Sequence, residues 1–171
     1  MIACLDVHYR DPGATAASVL FAHWEDAVAT AERTRTIASV APYLPGQFYR
    51  RELPCLLSVL ALDPLPDCIV VDGYVWLDGQ GRPGLGAHLW EALGRRAAVI
   101  GVAKTAFMGA THAALVWRGA SARPLYVTAA GKDPQQAGQL LSRMAGSHRI
   151  PTLLKRVDAL SRRAASGVPL S

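Results

Sequence analysis

The chain has 171 residues, 51% of them hydrophobic and 18% charged, with a formal net charge of +5. That balance excludes a disordered chain, and the length suits one domain with a sizeable core. No apolar run approaches the roughly 20 residues that span a bilayer, and Cys4, Cys55 and Cys68 form neither a CxxC pair nor an even disulfide framework.

Ile2 to Val7 reads as an apolar strand carrying Asp6. Arg10-Asp11-Pro12-Gly13 is a turn signal before a second strand, Thr15 to His23. Ala27 to Val40 is ambiguous, but Thr30, Thr34, Thr36 and Val40 favour a third strand and hence a short meander. Pro42 and Pro45-Gly46 force a loop. Leu53, Leu56, Leu57 and Leu60 then recur at helical spacing from about Arg51 to Leu62, with Pro54 placed in the first turn. Ile69 to Val71 is short and β-branched, as expected of a central parallel strand, and Asp72-Gly73 closes it. A glycine-rich loop, Asp78 to Gly86, leads into a helix around His88 to Leu93. Ala98 to Val102 is the next buried strand and runs out at Lys104. Ala113 to Trp117 and Pro124 to Thr128 read as two strands across a turn at Gly119. Helices are expected over Pro134 to Ala145 and Thr152 to Ala165, with a frayed tail after about Ser166. The order predicts one α/β domain over residues 1–171, built on a mixed sheet.

Three acids stand out in this frame. An acid inside an apolar strand is costly unless a cation offsets its charge. Asp6 is flanked by apolar residues, Asp72 ends a buried strand, and Glu52 lies at the start of the first helix. Parallel strands gather their ends at one edge, where open α/β folds bind ligands. If the first and fourth strands are neighbours, the three carboxylates meet the need of metal-dependent phosphodiester hydrolysis, since Mg²⁺ is held by a few carboxylates plus waters. Lys104 closes the following strand at the same edge, where an ammonium stabilises phosphate charge or orients water. Each acid alone also has a plain account: Asp72-Gly73 as a turn, Glu52 as a helix N-terminal acid. Their joint placement is what favours a metal site.

Other conspicuous residues read as inert. His8 is expected to face away from Asp6, and His88 to be a satisfied core histidine. Gly79, Gly81, Gly84 and Gly86 do not form a dinucleotide fingerprint. Trp76, Trp90 and Trp117 are expected in the core or its rim.

These residues resemble a family, endonuclease V, the inosine-directed nucleases. The resemblance is carried by Leu5-Asp6-Val7-His8-Tyr9, by Pro42-Tyr43-Leu44-Pro45-Gly46 with Arg51-Glu52, and by Val71-Asp72-Gly73. It continues in Gly84-Leu85-Gly86-Ala87-His88, in Ile100-Gly101-Val102-Ala103-Lys104, and in Arg149-Ile150-Pro151 with Asp158. The resemblance implies an RNase H-like mixed β-sheet flanked by helices. It implies Asp6, Glu52 and Asp72 as catalytic acids holding Mg²⁺ or Mn²⁺, and Lys104 as the catalytic lysine. Pro42, Tyr43, Leu44, Pro45 and Gly46 would form a wedge in nucleic acid, assisted by Arg51, with Tyr43 stacking at the gap. A rigid aromatic between prolines suits that task, because it offers its face to an unstacked base. The sequence departs from the family in four places. Asp78 stands where a histidine is usual, Ala129-Ala130-Gly131-Lys132-Asp133 lacks the family's Gly-His-Arg, and Asp72-Gly73 is followed by Tyr74. The segment from Lys104 to Trp117 is also short for the family.

The leading expectation is thus a divalent-metal-dependent endonuclease cleaving near inosine or other deaminated bases, in DNA repair or RNA processing. A second reading is a catalytically weakened or inactive nucleic-acid-binding relative that lacks the family's histidines. A third is a small-molecule or protein-binding α/β domain sharing only the fold. The pI near 9.4 suits a polyanionic partner. The chain is expected to be cytoplasmic and monomeric, without a membrane partner.

Overall fold

The structure, a computed structural model, describes residues 1–108 and 110–165. The expected tail after Ser166 lies outside the described residues. The first three strands form an antiparallel meander: β1 (Ile2–Arg10), β2 (Gly13–Phe21) and β3 (Ala31–Ile37). Helix α1 (Tyr49–Leu60) follows the proline-rich loop, and β4 (Cys68–Asp72) then returns parallel to β1. Helix α2 (Leu85–Ala92) leads to β5 (Ala98–Ala103), parallel to β4. A short 3-10 turn precedes β6 (Ala114–Val116), which pairs with β7 (Leu125–Ala130), and β7 in turn runs antiparallel to β5. Helices α3 (Pro134–Arg143) and α4 (Thr152–Ala165) close the described chain. The result is one seven-stranded sheet in the order β3-β2-β1-β4-β5-β7-β6.

The period of two along each strand divides the core between two faces. Ala3, Leu5, Ile69, Val71 and Val99 pack with α1 and α2. Cys4, Val70, Ile100 and Val102 pack with Leu141 of α3 and Leu153, Val157 and Leu160 of α4. The three cysteines are free and buried, and serve as small apolar packing groups. Asp133 caps α3 by accepting the Gln136 N–H at 2.9 Å, and Pro134 takes the position where a missing N–H costs nothing.

Three expectations need correction. Helix α1 begins two residues earlier than its apolar spacing indicates, so Pro54 sits inside it rather than in its first turn. The bond lost is the one that Arg50 carbonyl would accept. The first strand does not stop at Val7: β1 runs on to Arg10 because the hairpin with β2 continues, which leaves Asp6 in mid-strand. Its pairing with β4, however, ends at Leu5 opposite Val71, so Asp6 stands where the parallel ladder stops. Finally, His8 lies on the same side of β1 as Asp6, not the opposite one, since residues two apart in a strand share a face.

Candidate active site at the β1–β4 edge

Asp6 and Asp72 reach the same edge because β1 and β4 are paired neighbours. Both share the face of Cys4 and Val70, which is covered by α4. Gly101 on β5 allows the chain after Asp72 to fold closely over the sheet, since a Cβ there would lie 2.5 Å from the Gly73 carbonyl oxygen. The Gly73 N–H donates to the Val102 carbonyl at 3.0 Å, which fixes the exit from β4. Lys104, just past β5, places Nζ 2.7 Å from Asp72 Oδ2. Arg149 holds the end of β5 from behind by donating to the carbonyls of Lys104 and Pro124.

These side chains line a cleft closed on its far wall by α4. Its lining includes Asp6, Asp72 and Lys104, together with Lys155 and Asp158 from α4 and the apolar residues Leu5, Val71, Val102, Ile150 and Leu154. The Ser161 hydroxyl, also on α4, lies 2.6 Å from Asp6 Oδ2. Burial pushes the Asp6 carboxyl above the usual carboxylate range; the Ser161 hydrogen bond opposes this, and the charges of Asp158 and Asp72 add to it.

Glu52 is buried and approaches from the α1 side of the sheet. Its pKa is pushed up to about 8, by burial first and then by the charges of Asp6 and Asp72. It is therefore electrostatically part of the acidic group, although it is not among the residues lining the cleft. Among the described residues, no three Asp, Glu, His or Cys side chains converge closely enough to hold a metal ion.

The loop between β3 and α1 exposes its apolar residues, Tyr43 by 59% and Leu44 by 50%. Pro42, Pro45 and Gly46 are exposed beside them. The Tyr43 ring lies 6.4 Å from that of Phe48, which packs edge-on against Tyr9 at 6.0 Å. Arg51 turns inward, its guanidinium 4.1 Å from the centre of the Tyr9 ring. Asp78, in the usual place of a family histidine, organises its own turn by accepting the N–H groups of Gln80 and Arg82 at 2.9 and 3.1 Å. His88 is partly exposed and stacks on Tyr49 with ring centres 3.6 Å apart. Trp76 and Trp90 pack together in the rim, whereas Trp117 on the sheet edge is 59% exposed.

A model of the endonuclease V family matches residues 1–159. The chain belongs to the endonuclease V family. It is 32% identical to the endonuclease V of Streptomyces avermitilis, over 94% of this chain and 78% of that protein. The crystal structure of the Streptomyces avermitilis endonuclease V superposes with a TM-score of 0.75 at 26% identity, covering 97% of this chain and 81% of that one. Human endonuclease V gives 0.79 at 23% identity, covering 97% and 84%. An endonuclease V of Ciona intestinalis, in complex with a 23-mer DNA containing an inosine followed by a ribo-adenosine, gives 0.81 at 18% identity, covering 97% and 85%. The fold is thus the RNase H-like mixed sheet that the sequence blocks imply, and the relatives make the chain a member of a nuclease family.

Asp158, Lys155 and Ser161 carry no assigned role in the sequence reading. The signal was present: Lys155, Asp158 and Ser161 are spaced by three along one helix, which places them on one face. Only the packing of α4 against β1 turns that face into the wall of the cleft.

Proposed function

We propose that this chain is a divalent-metal-dependent endonuclease that cleaves a phosphodiester near inosine or another deaminated base in nucleic acid. The observation that carries the proposal is the cleft itself, where Asp6, Asp72 and Asp158 face Lys104 and Lys155 in a member of a nuclease family. Support for inosine comes from the Ciona relative, whose complex contains that base in DNA.

The donors fit a hard cation such as Mg²⁺ or Mn²⁺. All are carboxylates, and the raised pKa values of Asp6 and Glu52 mark a group short of positive charge. Mg²⁺ keeps several waters and needs few protein ligands, so a closed cage is not required. Asp6 and Asp72 would hold the ion, with Asp158 and Glu52 as further acids beside them. A divalent ion there supplies Lewis-acid chemistry, lowering the pKa of water and neutralising phosphate charge. The chain supplies the rest. Lys104 has three donors and can offer one to a phosphate oxygen while keeping Asp72. Lys155 adds a second ammonium on the opposite wall. The Lys104–Asp72 pair is half exposed, so its ammonium stays open to an incoming phosphate. Tyr43 and Leu44, exposed on a proline-stiffened loop, form the wedge that stacks on an opened strand.

One observation favours a second reading, binding without turnover: no histidine lines the cleft among the described residues. The deciding experiment pairs binding with cleavage. Inosine-containing and unmodified oligonucleotides, as DNA and as RNA, are titrated with EDTA present and then incubated with Mn²⁺ or Mg²⁺. Selective binding followed by metal-dependent cleavage is expected. Selective binding alone would establish the second reading, and neither would leave only the shared fold.

A further inference from the structure

Ser161 is fully buried on α4, yet its hydroxyl does not simply serve its own helix. Its oxygen lies 2.6 Å from Asp6 Oδ2 and 2.8 Å from the Asp158 backbone carbonyl. A hydroxyl has one proton to give, and an ionised carboxylate is the stronger acceptor. The carbonyl three residues back is the fallback that keeps a buried hydroxyl satisfied when Asp6 is engaged otherwise. We infer that Ser161 is a positioning residue: it ties the β1 carboxylate to α4 and fixes the orientation in which Asp6 meets the cleft. Because α4 also carries Asp158 and Lys155, one hydrogen bond sets the strand acid in register with the acid and the ammonium of the opposite wall.

This inference deepens the metal-site reading proposed above and rests on it. A purely structural serine would be replaced without loss by any group of similar volume. A positioning serine would not, since cysteine fills the space but donates weakly. The test measures Mn²⁺ binding to the metal-free full chain, by calorimetry and by the electron paramagnetic resonance of free Mn²⁺, without any turnover. Both Ser161→Ala and Ser161→Cys should bind Mn²⁺ about tenfold more weakly than the wild type, in keeping with the loss of one hydrogen bond to a charged group. If Ser161→Ala fails to fold, Ser161→Cys carries the comparison. Wild-type affinity in Ser161→Cys would overturn the positioning role and leave the metal site standing. Absence of Mn²⁺ binding by the wild type would overturn the metal site and this inference together.

Discussion

Glu52 is the residue on which the electrostatics of the site turn. Its carboxyl is buried on the α1 side and opposed by the charges of Asp6 and Asp72, so its folded pKa of about 8 exceeds the unfolded value of 4.5. The folded state then holds more protons than the unfolded state between those values, so stability falls as pH rises from about 4.5 to 8. Glu52→Gln removes this loss. The metal-free variant should be more stable than the wild type at pH 8, by about a few kcal/mol at most, and so melt at a higher temperature, and the two should converge near pH 5. Thermal melts across that range check it; parallel curves would show that Glu52 titrates normally. Asp6, Asp72 and Lys104 are legible in the sequence because each interrupts or ends an apolar strand. Asp158 is visible in the sequence only as part of the family resemblance, with no role, and Lys155 not at all, because a charged residue on an amphipathic helix ordinarily marks its solvated face. Their role depends on where α4 docks, which is a long-range fact.

At the scale of elements, the loop between β3 and α1 and the clamp at the end of α3 make opposite predictions. Tyr43 is 59% exposed and meets Phe48 in a tilted ring contact at 6.4 Å, so removing its ring should cost little stability. Stacking on an open base is worth roughly 1–3 kcal/mol, so Tyr43→Ala should weaken binding to a lesion-bearing strand by about one to two decades. Binding to an undamaged duplex should change much less, and equal losses in the two affinities would count against a wedge. Arg118, by contrast, is buried and donates to the carbonyls of Leu141, Ser142, Met144 and Gly146, closing the C-terminal end of α3. Arg118→Ala removes the shared donor of these carbonyls, leaving Leu141 only the Met144 N–H, and should destabilise the fold by about 2–4 kcal/mol, read from a denaturant melt. The elements themselves follow from local patterns. Ile69 to Val71 has no competing period, Pro134 after Asp133 marks a helix start, and Thr152 to Ala165 is found as its apolar spacing indicates. The start of α1 is less legible, because Tyr49 and Arg50 are helical by continuity with α1 and not by apolar spacing.

For the whole molecule, an acidic cleft sits in a chain of net charge +5, and that contrast sets how nucleic acid can be held. Phosphates must be met by cations at the rim of the carboxylates, and Lys155 is placed for this on the α4 wall. Lys155→Ala should reduce the slope of log affinity against log salt by about 0.9 on a duplex or about 0.7 on a single strand, one phosphate contact's worth. An unchanged slope would remove Lys155 from the contact surface. The central claim is that carboxylates at the β1–β4 edge carry metal-dependent cleavage, and Asp72→Asn tests it most directly. The amide keeps the shape of the side chain and removes one charge, so the melting temperature should hold or rise. On an end-labelled inosine oligonucleotide with Mn²⁺, the wild type should cut near the lesion and Asp72→Asn should fall to the level of an EDTA control. Equal cleavage by the two proteins would show that the metal is held elsewhere and would contradict the account.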